Sequence, residues 1–246
     1  MNPDAYIEMA ETESRHWWFV GRRAVLTSII GRLHLPDHAR ILEVGAGTGG
    51  NLPMLAGFGN ACALEMDASA RRIAEEKTDG RFDIRAGTCP GDTPFAGPFD
   101  LICLLDVLEH IDDDVGTLHA LRPLLAPAAR VLVTVPAHRW LWSAHDAFLH
   151  HKRRYGAVEL GGKAAAAGLR AERLSYCNTV LFPAAVAVRL HDRLTRRKQA
   201  SGRDVPPNPI NAFLARAFSA EAWMLDRFDL PFGVSLVGVF RASPDG

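Results

Sequence analysis

Residues 41–51, ILEVGAGTGGN, constrain the fold more than any other segment of the chain. An apolar run breaks at Gly45, Gly47 and Gly49, which is typical of a strand that turns tightly into the start of a helix. Without side chains at these positions, a ligand can lie against backbone N–H groups and the positive end of the helix. The segment therefore predicts a nucleotide-cofactor site in an α/β fold.

The glycines alone leave two cofactor classes open. Gly45, Gly47 and Gly50 fit the dinucleotide pattern G-x-G-x-x-G, and Glu65 lies 20 residues past Gly45, where such folds place a ribose-binding acid. Glu43 favours the other class, because its negative charge suits an ammonium or sulfonium group and repels a pyrophosphate. This balance favours S-adenosylmethionine over NAD.

Two downstream segments, FDIRAGTCPGDTPF and FDLICLLDVLEHIDD, complete a larger pattern. Together with the glycine loop they make the chain resemble the class I S-adenosylmethionine-dependent methyltransferase family over about residues 35–175. The segments RHWWFVGRR, VPAHRWLWSAHD and HKRRY resemble a less characterised bacterial branch of that family. The resemblance implies a Rossmann-like, doubly wound α/β sheet of seven strands, whose antiparallel last strand lies between strands 5 and 6.

The resemblance also implies which residues bind S-adenosylmethionine and the product S-adenosylhomocysteine. Glu43 is expected to support the ammonium group of the donor, and Glu65 to accept both ribose hydroxyls. Met66 is expected to pack on the adenine face, which suits a flexible thioether. Thr88 departs from the family, which commonly has an acid there. The predicted donor-binding residues are Glu43, Gly45, Ala46, Gly47, Gly49, Asn51, Glu65, Met66, Gly87, Thr88 and Asp106.

The segment 136–155, PAHRWLWSAHDAFLHHKRRY, is expected to line the acceptor side, because it follows strand 5. His138 or His145 is a candidate base with Asp146 orienting the imidazole, and His110 is a further candidate, since histidine titrates near neutrality. Packing within the loop is the alternative role for these side chains. The histidines of this loop lack a diagnostic metal-binding spacing, so no metal site is predicted.

Length and composition fit one methyltransferase domain, residues 1–246, because 48% of the residues are hydrophobic and can bury one substantial core. Apolar positions at helical spacing predict a helix over 14–33, interpreted as part of an N-terminal lid at 1–35 or as a helix packed on the core. The core sheet is predicted at 36–178 and 232–243. Two helical runs that flank SGRDVPPNP predict an inserted helical cap at 179–231.

The charge balance argues against a nucleic-acid partner, because 28 basic residues match 28 acidic ones and give no general field. Four widely spaced cysteines indicate buried thiols, and no targeting or membrane-spanning segment is apparent, so a cytoplasmic monomer or homodimer is expected. The run 179–198 is amphipathic and basic at its end. It is interpreted as a cap helix, with peripheral membrane contact as the alternative.

The leading hypothesis is an S-adenosylmethionine-dependent methyltransferase. Its acceptor is expected to be a small molecule or a carrier-linked sugar or lipid, with transfer to oxygen, nitrogen or carbon left open. An inactive donor-binding scaffold is an alternative. An NAD-dependent oxidoreductase is a weaker alternative, because Glu43 and the final strand pattern oppose it.

Overall fold

One mixed sheet of seven strands organises the computed structural model, which describes residues 3–195 and 205–243. The strand order is 3-2-1-4-5-7-6, and β7 runs antiparallel to both β5 and β6 while the other neighbours are parallel. The predicted doubly wound sheet with an inserted antiparallel last strand is confirmed. The strands are β1 Arg40–Val44, β2 Asn60–Leu64, β3 Asp83–Arg85, β4 Phe99–Leu105, β5 Leu125–Pro136, β6 Leu169–Cys177 and β7 Ser235–Ala242.

Helices cover both faces of the sheet, and their bounds follow local signals. Helix α4 begins at Ala68 because the Asp67 side chain accepts from the backbone N–H groups of Ser69 and Ala70. Helix α5 ends at Leu121, since Pro123 lies in a 3₁₀ turn and β5 already begins at Leu125. The helices are α1 Pro3–Thr12, α2 Trp17–Gly31, α3 Leu52–Leu55, α4 Ala68–Lys77, α5 Asp114–Leu121, α6 Ala144–Phe148, α7 Ala157–Ala166, α8 Phe182–Thr195, α9 Asn208–Ser219 and α10 Glu221–Leu225.

Two apolar layers enclose the sheet. On one face, Leu118 of α5 and Leu160 of α7 pack with residues of β4, β5 and β7. On the other face, Leu26 of α2 packs with Phe218 of α9 and Leu225 of α10. The parallel strands are therefore buried on both sides, which explains their nearly continuous apolar sequences.

The predicted cap, residues 179–231, contains helices α8, α9 and α10. Helix α8 borders a cavity through Ala184, Ala185 and Val188, and α9 borders the same cavity through Leu214. Helices α9 and α10 also pack on α2. Helices α2 and α9 approach so closely that a Cβ on Gly21 would lie 2.5 Å from Phe218 Cδ1. The basic positions 196–198 lie outside the described residues. The division into lid, core and cap remains a prediction.

Candidate active site

The loop after β1 holds its three predicted glycines in the left-handed backbone region. Gly45, Gly47 and Gly49 have φ angles of +73°, +55° and +77°, which residues with side chains rarely adopt. A Cβ on Gly45 would lie 2.8 Å from the Val107 methyl groups, and one on Gly49 would lie 3.0 Å from Ala74 Cβ. The loop therefore presents its backbone, not side chains, at the carboxyl edge of the sheet.

A cavity of about 1030 Å³ follows this edge past the ends of β1, β2, β4, β5 and β6. Gly49 and Glu43 do not contribute to its wall, and neither do His138 and Asp146 among the candidate catalytic residues. His110 and His145 do line it. The predicted donor-binding residues on the wall are Gly45, Ala46, Gly47, Asn51, Glu65, Met66, Gly87, Thr88 and Asp106.

The carboxylate of Glu65 is fixed at the wall by two backbone donors. Its Oε2 accepts from Gly47 N at 2.8 Å and its Oε1 accepts from Asp67 N at 2.9 Å. A carboxylate has about four lone-pair sites, so acceptor capacity remains for a ligand. The neighbouring Met66 side chain is 71% exposed and offers an apolar surface at the same wall.

A polar chain joins α2 to the glycine loop. Arg22 Nε lies 2.7 Å from Asp106 Oδ2, and Arg22 Nη1 lies 3.5 Å from Asn51 Oδ1. Asn51 Nδ2 in turn donates to Glu43 Oε1 at 2.7 Å. The sequence pattern placed Arg22 in a helix interpreted as part of a lid or as packed on the core, and it gave Arg22 no role at the site. An arginine in the apolar stripe formed by Val25 and Leu26 was a usable signal.

Glu43 lies behind Asn51 and is fully buried. Its Oε2 has no hydrogen-bond partner among the described residues. Burial raises the pKa of Glu43 to about 7, and the hydrogen bond from Asn51 opposes that rise. Glu43 is therefore separated from the cavity and contacts its wall through Asn51.

Three residues within two positions of a strand end at this edge also have left-handed backbone. Asp106 follows β4 with φ +59°, His138 follows β5 at two residues with φ +59°, and Asn178 follows β6 with φ +57°. Asp, Asn and His tolerate this region better than most side chains, but each such residue still stores strain. Strain of this kind is common at functional sites, and two of the three residues, Asp106 and Asn178, line the cavity.

The histidine-rich loop, residues 136–155, is arranged differently from the sequence-based expectation. His138 stacks on Tyr176, with ring centroids 4.9 Å apart and 6° between planes, and does not reach the cavity wall. Asp146 is buried, and its carboxylate pairs with the Arg154 guanidinium at 2.7 and 3.1 Å. Asp146 Oδ1 also accepts from His151 Nδ1 at 2.9 Å. Asp146 therefore orients His151, an imidazole to which the sequence pattern assigned no role.

His151 lies beside Glu109 and His110 at the cavity wall. The rings of His110 and His151 meet edge to face at 4.8 Å, and His151 Nε2 lies 3.9 Å from Glu109 Oε1. Burial, and secondly the neighbouring His151, lower the pKa of His110 to about 3. Burial raises the pKa of Glu109 well above its usual value. His110 is therefore a weak base, which argues against a role for it as proton acceptor.

The N-terminal segment closes one side of the cavity. Tyr6 and Met9 of α1 line it together with Trp17 and Trp18 of α2. Glu13, between these helices, accepts from the Thr48 hydroxyl at 2.8 Å and pairs with Lys77. The sequence pattern did not indicate α1, and Glu13 ties its end to the glycine loop.

Comparisons with known proteins converge on one domain type. A family model described as a methyltransferase domain matches residues 19–176. Over 97 residues, 36% of this chain, the sequence is 33% identical to the polyketide synthase ThaQ of Burkholderia thailandensis, and the match spans 5% of that protein.

Solved structures share the fold at low sequence identity. A methyltransferase in complex with the Haloferax volcanii Trm112 methyltransferase activator is 17% identical with a TM-score of 0.63, over 98% of this chain and 95% of that one. An S-adenosylmethionine-dependent methyltransferase from Clostridium acetobutylicum is 12% identical with a TM-score of 0.58, over 90% of each chain.

Across the described ranges, every helix is too short or too polar to cross a bilayer.

Proposed function

The chain belongs to the methyltransferase domain family, as a class I S-adenosylmethionine-dependent methyltransferase, and we propose that it methylates an oxygen, nitrogen or carbon atom of a small-molecule or carrier-linked acceptor. One observation carries this proposal: a single cavity joins the glycine loop to the histidine-rich loop. At about 1030 Å³ it reaches the upper end of the roughly 300–1,000 Å³ usual for ligand pockets. This volume leaves room for an acceptor beside the donor.

The donor fits the half of the cavity built by the loops after β1 and β2. Bound there, S-adenosylmethionine would supply a methyl group already activated by a positively charged sulfur. Glu65 is proposed to accept from the ribose hydroxyls, since its carboxylate is held rigidly by Gly47 and Asp67. Met66 offers its exposed thioether to the adenine face. Gly87 and Thr88 lie on the same wall, where they would border the adenine edge.

The charged end of the donor would meet the polar chain between α2 and the glycine loop. Arg22 carries the positive charge that suits a carboxylate, and Asp106 carries the negative charge that suits an ammonium group. Each already holds the other at 2.7 Å, so both charges are oriented before a ligand binds. Glu43 is proposed as a positioning residue that fixes Asn51.

The other half of the cavity is proposed to hold the acceptor. Its wall includes apolar side chains of the histidine-rich loop, of α8 and the residue before it, and of α9: Leu149, Leu181, Ala184, Ala185, Val188 and Leu214. These surfaces favour an acceptor with an apolar portion. Of the predicted bases, His145 lies on this wall and is proposed to take a proton when the acceptor releases one.

Calorimetric titration with S-adenosylmethionine, S-adenosylhomocysteine and NAD tests the donor assignment. We expect micromolar binding of the first two and none of NAD. Binding of NAD alone would overturn the proposal. Failure of all three ligands to bind a folded sample would remove the donor site, and tight donor binding without turnover across an acceptor screen would support the scaffold alternative.

A further inference from the structure

Glu109 presents an electrostatic problem at the cavity wall that the methyl-donor site does not solve. Its side chain is fully buried, yet neither carboxylate oxygen receives a hydrogen bond from another described residue. A buried carboxyl group without donors is costly to ionise unless an opposite charge or a metal ion compensates it. The residue is held in place by its backbone, because Glu109 O accepts from Lys152 N at 2.8 Å.

Two imidazoles face this carboxylate. One ring nitrogen of His110, one of His151 and one oxygen of Glu109 all lie within 4.8 Å of one another. The backbone bond from Lys152 explains this convergence, since it ties the 3₁₀ turn after β4 to the end of the histidine-rich loop. Residues 41 positions apart in sequence thus share one point on the wall.

The far side of His151 is arranged as metal-binding histidines are. Asp146 accepts from Nδ1 at 2.9 Å, which fixes the ring and leaves Nε2 directed at Glu109. Arg154 holds Asp146 in turn through two contacts. A carboxylate behind the ligating imidazole fixes its tautomer and increases its basicity as a ligand.

The local charge also favours a cation. Three carboxylates, those of Asp106, Glu109 and Asp146, lie at or behind this part of the wall, and two guanidinium groups, Arg22 and Arg154, pair with the first and the third. The adjacent cations Lys152 and Arg153 pair elsewhere, with Asp112 and Asp114. Among the three, Glu109 is the carboxyl group without a guanidinium partner, and a bound cation would compensate its charge once it ionises.

We propose that Glu109, His110 and His151 bind a divalent metal ion whose open positions face the acceptor half of the cavity. One carboxylate and two imidazoles form a donor set that suits Mn²⁺, Fe²⁺, Co²⁺ or Zn²⁺ and leaves coordination positions free. Bonds of about 2.1 Å allow ligand atoms at most roughly 4 Å apart, so the side chains close in slightly when the ion binds. Only one part of this inference rests on the proposed function: the open coordination positions would bind an oxygen atom of the acceptor, next to the methyl donor.

Metal titration of the chelator-treated, tag-free chain tests the proposal without any activity assay. Mn²⁺, Co²⁺ and Zn²⁺ are each titrated by calorimetry, and Co²⁺ binding is followed by its visible absorption. We expect one equivalent of ion, and at least tenfold weaker binding in Glu109→Gln, His110→Ala and His151→Ala. His119→Ala removes an exposed histidine of α5 outside the cluster and should change nothing.

S-Adenosylhomocysteine titration of the same samples separates the possible failures. A variant that still binds S-adenosylhomocysteine is folded, so loss of metal binding in that variant would establish the metal site. A folded wild-type chain that binds none of the three ions at millimolar concentration overturns the proposal, as does binding that all three variants retain. Metal binding without S-adenosylhomocysteine binding would instead refute the proposed function and leave the metal site standing.

Discussion

Replacement of Glu65 by alanine should weaken S-adenosylhomocysteine binding by about 100-fold. The carboxylate is proposed to accept two ribose hydroxyls, and a hydrogen bond to a charged group contributes about 1.5–3 kcal/mol. The bonds from Gly47 N and Asp67 N are lost in the free and the bound state alike, so they largely cancel in the difference. A net loss of about 3 kcal/mol corresponds to roughly a 100-fold rise in Kd.

Calorimetry at fixed pH measures this change, and thermal denaturation checks that the variant folds. Glu76→Ala is the matched control, because Glu76 is an exposed glutamate in the nearby helix α4. Its Kd should equal that of the wild type. A Glu65→Ala variant that is folded and binds within threefold of the wild type would refute the ribose assignment.

Three further substitutions address the buried charges and the base. Glu43→Gln should remove one source of pH dependence from the free energy of unfolding. Between pH 4.5 and 7 the Glu43 carboxyl keeps its proton in the folded chain and releases it in the unfolded chain, so rising pH destabilises the wild type. Urea denaturation should show that the wild type loses on the order of 3 kcal/mol relative to the variant over this range. An identical pH profile would contradict this. Asp146→Asn breaks the buried pair with Arg154 and should cost about 3–5 kcal/mol in the same assay, against under 1 kcal/mol for the exposed Asp112→Asn; equal losses would show that the buried pair is unimportant. His145→Ala should lower turnover at least tenfold with S-adenosylhomocysteine affinity unchanged, and unaltered turnover would move the base elsewhere.

Local patterns predicted those features whose causes are local. The glycines of the loop after β1 are required by backbone angles that a few neighbouring residues impose. Helix α4 begins where Asp67 caps it, and β4 matches its apolar run from Phe99 to Leu105. The end of α5 at Leu121 has a partly non-local cause, because β5 begins at Leu125, which pairs with Phe99 of β4, and sequence periodicity does not record that pairing.

The acceptor side of the site was harder to predict, because its contacts join distant segments. Asp146 was expected to orient His138 or His145, since these lie nearby in sequence. The structure gives it His151 and Arg154, because the short helix α6 and the turn after it fold the loop back on itself. Glu109 joins that group only through the backbone bond from Lys152.

The sequence by itself therefore determined the sheet, its inserted last strand and the position of the glycine loop. Each follows from residue periodicity, glycine geometry and a family pattern along contiguous segments. Only the tertiary structure placed Arg22 against Asp106, brought α8 and α9 to the cavity wall, and brought Glu109, His110 and His151 together. Which side chains share a cavity depends on how separate loops meet at one sheet edge. The spacing of residues along the chain does not encode the distances between those loops.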